Sequence, residues 1–335
     1  MTDTRLRPLP RADRLLIGAA ALLLAVLALA PVYASALVID KLTQLGIYVL
    51  MAVMWNLLAG YAGLVSVGQQ AFVGLGGYAM VRLVETGLGP FPALLVAPLL
   101  VAAVAWLLSS FVLRLRIGEF AIAMWVLAEV FRALVMTDPL VQGETGTSLV
   151  VLNAYDPQTR RLAIYWIALA SAAAVLVAAY RLLSGRLGAE SQAIRDDEEA
   201  AASVGVSTFR VKRVIFALAA GGCALAGTLW LASAITFQPR TGFGIQWTVF
   251  MLFMVLTGGL GTFLGPVVGA VFLIALQEIF GDFGAWYLFG IGAVAIGFAL
   301  FLPRGLVGAW IDHSGREPLA RRRVLDDACQ TPPAP

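Results

Sequence analysis

Gly185–Arg213 reads GRLGAESQAIRDDEEAAASVGVSTFRVKR. It is the only long run that water could solvate, and apolar segments crowd it on both sides. Within it, Ser191–Val204 has the composition of a short amphipathic helix. Ile194, Ala201 and Val204 fall on one stripe, while Arg195, Asp196, Glu198 and Glu199 supply the polar surface. Gly205 suits the left-handed turn that commonly ends such a helix. Ser207 and Thr208 can cap the next helix, expected to begin near Phe209. On residue types alone this stretch is a charged connector between two membrane spans.

The rest of the chain sets what it connects. Of the 335 residues, 60% are hydrophobic and 13% charged, and the mean hydropathy is +0.88. That describes an all-α polytopic membrane protein. The net charge of +3 is not a sign of nucleic-acid binding, because the basic residues sit beside apolar spans. Cys223 lies in a span and Cys329 in the tail, which argues against a disulfide. His313 is the sole histidine, so a Cys/His metal site is set aside.

Three regions follow: a polar segment over residues 1–14, a transmembrane body over 15–310 interrupted by the loop 185–213, and a polar tail over 311–335 expected to be disordered. Leu15–Ile39 is long enough to cross a hydrocarbon core of about 30 Å. It also has the layout of a secretion signal, with Ala34-Ser35-Ala36 as the cleavage site. The apolar run is longer than a usual signal core, however, and more spans follow. Leu42–Gly60, Ala71–Val84, Phe91–Leu113, Ile117–Thr137, Leu162–Leu183, Val214–Phe237, the stretch from Ile245, Val267–Phe280 and Trp286–Leu302 bring the count to about ten spans. Glu129 and Arg132, three apart on the fifth, pair near its outer end.

Two glycine-rich breaks interrupt the pattern, one in each half. The first holds Asn56, Gly60, Gly63, Ser66, Gly68, Gln69 and Gln70; the second holds Gly258, Gly259, Gly261 and Gly265. Glycines this dense cost a helix about 1 kcal/mol each relative to Ala and allow close helix packing. Alternatively they form broken or re-entrant elements lining a polar path, since non-helical backbone survives at membrane depth only where protein or a wet cavity satisfies it. The basic residues orient the whole: seventeen of the 23 fall in the N-terminal segment, at Arg114 and Arg116, in the central loop region, or from Arg304 onward. All of these sites lie on one side of ten alternating spans, which puts both termini in the cytoplasm.

Taken together the blocks resemble a known family. The order Glu199-Ala200-Ala201 followed by Gly205 is similar to the signature of ABC-importer permeases that docks on a cytoplasmic ATPase. Leu57–Tyr78, Ala193–Gly205, Thr257–Ala270 and Phe301–Gly308 resemble, in order, the blocks of LivM-type permeases of branched-chain amino acid ABC transporters. One departure is Gly143–Leu149, GETGTSL, where family members often carry a longer run of glycine and threonine and no residue like Glu144. The resemblance implies a multi-pass subunit of the bacterial inner membrane, surrounded by lipid, that moves amino acids from the periplasmic side to the cytoplasm. It implies partners: a second, LivH-like permease, two cytoplasmic ATPase subunits and a periplasmic substrate-binding protein. ATP and Mg belong to the ATPases, and this chain carries no cofactor of its own. Ile194, Arg195, Glu199, Ala200, Ala201 and Gly205 are then the ATPase-coupling residues, and the residues of the two breaks are the candidates for the substrate path.

Chemistry in the residues agrees. Only Lys41 and Lys212 are lysines, and neither follows a glycine-rich loop, so the chain cannot supply a Walker A site. No paired carboxylates or nucleophile–histidine arrangement supports an intramembrane enzyme. Relatives in this group are associated with urea, amides or aromatic acids, which leaves the cargo open. The rival class is an ion-coupled secondary transporter using Glu129, Arg132 and Glu278. In the importer reading, helix N-termini at the breaks face the carboxylate of a zwitterion and apolar walls take its side chain. Leu in place of Gly68 or Gly261 is then expected to abolish uptake and leave assembly intact.

Overall fold

The structure, a computed structural model, describes residues 11–281 and 285–314. Arg5, Arg7 and the tail from residue 315, with Cys329, lie outside them. The described chain is helical apart from a two-residue antiparallel ribbon, β1 (Thr147–Ser148) with β2 (Thr236–Phe237), in which Thr147 faces Phe237 and Ser148 faces Thr236. Six stretches are long and apolar enough to cross a bilayer: Ala36–Tyr61, Pro90–Val112, Pro157–Ser184, Thr208–Ala234, Pro239–Gly258 and Phe289–Ser314. Leu15–Ala28 and Gly265–Phe280 are apolar but shorter. The chain is a multi-pass membrane protein.

The first span differs from the expectation. Helix α1 (Arg11–Ala28) ends well before Ile39, a single turn α2 (Ala30–Tyr33) follows, and α3 (Ala36–Asn56) already begins at Ala36. Pro31, in the first turn of α2, cannot continue the hydrogen-bond ladder of α1, and Ser35 is extended. Helices α4 (Gln70–Glu85), α5 (Pro90–Val112) and α6 (Ile117–Met136) lie within a residue or two of the pattern. Helix α7 (Pro157–Ser184) starts earlier than expected, because Asp156 caps it by accepting the N–H groups of Gln158 and Thr159.

The charged loop also departs. Instead of one helix it forms two, α8 (Arg186–Asp196) and α9 (Glu198–Ser203), separated by the extended Asp197. The Asp197 carboxylate accepts from the N–H groups of Glu199 and Ala200, starting a fresh helix and turning it away from the first. Ile194 and Ala201 are buried, but Val204 is 79% exposed, so the stripe does not run through it. Gly205 has φ +89°, the left-handed end expected of it. Ser207 stands at the start of α10 (Thr208–Ala234), yet its side chain makes no capping bond.

Helix α10 is the centre of the bundle, packed against α5, α4 and α3. Its run of small residues (Ala219, Ala220, Cys223, Ala224, Gly227) lets backbones close in, with Gly76 of α4 against Ala224 and Gly227 against Val73. Against α5 the contact is chemical as well. Pro98 has no N–H for the Leu94 carbonyl one turn back, and the Thr228 hydroxyl, 2.8 Å from the Leu225 carbonyl of its own helix, also lies 3.2 Å from that carbonyl and shares its one proton between them. Helix α11 (Pro239–Gly242) leads to α12 (Gln246–Gly258), α13 (Gly265–Phe280) and α14 (Ala285–Phe301). A final helix, α15 (Gly305–Ser314), runs past residue 310 and was not expected from the polar composition there.

The 28 residues of α7 separate two ends of the molecule by about 42 Å. One end carries α8 and α9. The other carries the ribbon and the ion pairs Arg82–Asp138 (2.6 Å), Arg161–Asp40 (2.9 Å), Lys41–Glu278 and Arg132 with both Glu129 and Glu144.

Candidate functional site

Helix α3 does not stop cleanly. It passes into one wide π turn, Leu57–Tyr61, and the chain then runs without helix from Gly63 to Gln69 before α4 starts. A π turn followed by unwinding leaves carbonyls without helical donors. The Gly60 carbonyl is one, and Nη1 of Arg195 donates to it at 2.9 Å. Arg195 is the last basic residue of α8, so the hydrophilic loop reaches directly into the first break.

The second break meets the first at the same place. Asn56, 3% exposed, accepts the Gly261 N–H on its Oδ1 at 2.9 Å, and its Nδ2 donates to the Thr262 carbonyl at 3.0 Å. Gly261 has φ +73°, and a Cβ there would sit 3.2 Å from the Gly60 carbonyl oxygen and 3.4 Å from the Arg195 guanidinium. Only a residue without a side chain lets the two breaks and the loop share this spot. Gly259 is buttressed by Gly308 and the Arg304 carbonyl of the α15 region, while Gly258 lies against Gly265. Gly63 packs on the Arg195 side chain.

The remaining members of the first break lie deeper. The hydroxyl of Thr248 donates to Oε1 of Gln70, and Thr248 stands ten residues, about 15 Å, from Gly258 along α12. Gly68 presses against the Met124 backbone inside α6. The non-helical stretch thus lies within the span, its backbone partly satisfied by Trp55, whose Nε1 donates to the Ser66 carbonyl at 2.9 Å. Ser66, Gln69 and Gln70 are fully buried. Both polar atoms of the Gln69 carboxamide, and Nε2 of Gln70, have no partner among the described residues. An orphaned amide of this kind costs about 1–3 kcal/mol.

The structure therefore gathers Asn56, Gly60, Gly63, Gly261 and Arg195 into one cluster and sets Ser66, Gly68, Gln69 and Gln70 apart from it. In the loop, Glu199 and Ala200 are exposed, whereas Ile194 and Ala201 face the bundle. Lys212, with a side chain only 11% exposed, pairs with Glu198 and pins α9 to α10. A further polar group escaped the sequence reading: Gln44 and Gln277 each donate to the Tyr48 hydroxyl, at 2.8 and 3.0 Å, across α3 and α13. Carboxamides inside otherwise apolar spans were the available signal.

A membrane bundle with two unwound segments, tied to one hydrophilic loop and carrying orphaned amides at depth, is built as a solute permease. The chain belongs to the family of branched-chain amino acid transport system permease components, which matches residues 37–301. It is an ABC permease component, a non-catalytic transport subunit. It is similar to the high-affinity branched-chain amino acid transport system permease protein LivM of Escherichia coli strain K12, with 29% identity over 313 residues, 85% of this chain and 73% of the relative. The LivM protein of Salmonella typhimurium strain LT2 is 28% identical over 296 residues, 80% of this chain and 69% of the relative. No solved structure matches the chain.

Proposed function

We propose that this subunit imports branched-chain or related amino acids from the outer side to the cytoplasm, driven by ATP bound with Mg on partner subunits. Ten crossings (α1, α3–α7, α10 and α12–α14) put both termini and the α8–α9 loop in the cytoplasm of a bacterial inner membrane. A LivH-like second permease completes the membrane unit, two ATPase subunits dock below the pair, one of them on α8 and α9, and a periplasmic binding protein delivers the solute. Glu199, Ala200 and Gly205 form the surface that receives the ATPase, and Ile194 and Ala201 key the helices to the bundle. The observation that carries the reading is the Arg195–Gly60 hydrogen bond, which couples the docking loop to both breaks. Movement of α8 would pull on the point where α3 unwinds and where Gly261 and Asn56 meet it. The orphaned carboxamides of Gln69 and Gln70, with Ser66 and the N-terminus of α4, then offer polar contacts to a passing solute. Gly258, Gly259 and Gly265 fold the second break tightly enough to move as one piece. The alternative reading is an importer of the same family for urea, amides or aromatic acids.

The test is reconstitution with the partner subunits. Glu199→Ala or Gly205→Pro should reduce co-purification of the ATPases, whereas Arg195→Ala should keep them and lower uptake per ATP hydrolysed several-fold. Uptake that persists without ATP and collapses with an ionophore would remove the ATP-driven reading. Unchanged coupling in Arg195→Ala would remove the route through Gly60.

A further inference from the structure

At the end opposite α8 and α9, a cavity of about 520 Å³ opens between α3, α7, α10 and α12. Its size lies within the range of small-molecule sites, about 300–1,000 Å³. Three features of its wall define the ligand. The floor is aromatic: Tyr48, Trp247 and Phe250 are nearly buried, and Trp230, Trp247 and Phe250 form a chain of edge-to-face contacts with centroids 5.3 and 6.3 Å apart. The mouth is charged. Arg161 donates to the Asp40 carboxylate at 2.9 Å, but the hydrogen bonds of Arg160 go to neutral oxygens, the Leu152 carbonyl at 3.0 Å and Oδ1 of Asn153 at 3.2 Å. The lining therefore carries one more positive charge than negative. Between mouth and floor, Gln44 and Tyr48 hold the polar network that reaches Gln277.

We infer that this chamber is a binding site for a small α-amino acid zwitterion with a bulky apolar side chain, separate from both glycine breaks. The carboxylate meets Arg160, the excess cation; the ammonium lies toward Asp40; the side chain rests on the aromatic floor. Desolvating the guanidinium for a neutral solute gains no charge partner, so the wall selects for the carboxylate. A neutral molecule of urea's size would also leave most of the aromatic surface uncovered. The inference rests on the importer reading for the cargo's direction, but the site itself needs neither ATP nor docking.

The experiment is equilibrium binding of radiolabelled L-leucine and L-phenylalanine to the assembled transporter in lipid nanodiscs, with no ATP and no binding protein. Saturable binding of at least one is expected. Arg160→Gln should weaken it about ten-fold. Because Arg160 also braces the segment around Leu152, Ser233→Trp serves as the second variant: Ser233 lies on the cavity wall at the exposed end of α10, and an indole there should fill the chamber and abolish binding. Size-exclusion chromatography reports assembly of each variant. Leucinamide and urea should compete poorly. Absence of binding of both probes by the unaltered protein, retention of binding in both variants, or competition by leucinamide equal to that by leucine would each overturn the inference. ATP-dependent uptake measured alongside separates the two readings: uptake without chamber binding rejects the chamber alone, and chamber binding without ATP-dependent uptake rejects the importer alone.

Discussion

At the scale of single residues, the informative groups are polar side chains placed where an apolar one would be cheaper. Gln69 is the clearest. Its carboxamide is fully buried with neither atom paired, so replacing it with Leu removes an unmet desolvation cost while keeping the volume. Gln69→Leu should therefore stabilise the purified protein by about 1 kcal/mol and slow transport. A lower thermal midpoint together with unchanged uptake would mean the amide serves neither purpose. The sequence could mark Gln69 as polar within an apolar run, but it could not say whether a neighbour satisfied it. Asn56 shows the opposite outcome: an equally polar residue in the same block, fully engaged by Gly261 and Thr262.

At the scale of elements, helix spans follow from apolar run length, and most were readable to within a few residues. The exceptions have local causes: Pro31 divides the first span, Asp156 and Asp197 start helices earlier or anew, and a π turn extends α3 through Gly60. The kink-bearing contact between α5 and α10 gives a prediction at this scale. Thr228→Val removes the hydroxyl shared between the Leu94 and Leu225 carbonyls and should cost about 1 kcal/mol. Pro98→Ala restores the helical N–H, so in the double variant Thr228→Val should cost much less; a cycle with no coupling energy would show that the hydroxyl does not compensate the proline. Glycine substitutions in the first break need the same care. A side chain at Gly68 meets the Met124 backbone, so Gly68→Leu must push the unwound stretch before α4 away from α6, and assembly has to be followed next to uptake.

At the scale of the whole molecule, the ribbon and the Arg82–Asp138 and Arg161–Asp40 pairs lie at one end and α8 and α9, with Lys212–Glu198, at the other, where the two breaks join beside Arg195. This sorting predicts sidedness. Val204→Cys, 79% exposed, should react with a membrane-impermeant maleimide only in inside-out vesicles, and Val150→Cys, 67% exposed beside the ribbon, only in right-side-out cells. Cys223 is buried and will stay silent; Cys329 should first be replaced by Ser. Labelling of both positions from the same side would contradict the proposed ten-crossing arrangement and with it the proposed docking role of α8 and α9.

Composition and apolar run length were enough to establish a helical, multi-pass membrane protein, and the ordered glycine blocks with the Glu199–Gly205 spacing were enough to point to its family. Those properties are local: each is written in a window no longer than a helix, where hydropathy and backbone propensity act. The meeting of Gly60, Gly261 and Arg195 depends on residues far apart in the chain, and so does the amphipathic chamber around Tyr48 and Arg160. Only packing decides which carbonyl an unwound helix leaves open, which side chain reaches it, and which polar groups remain unpaired.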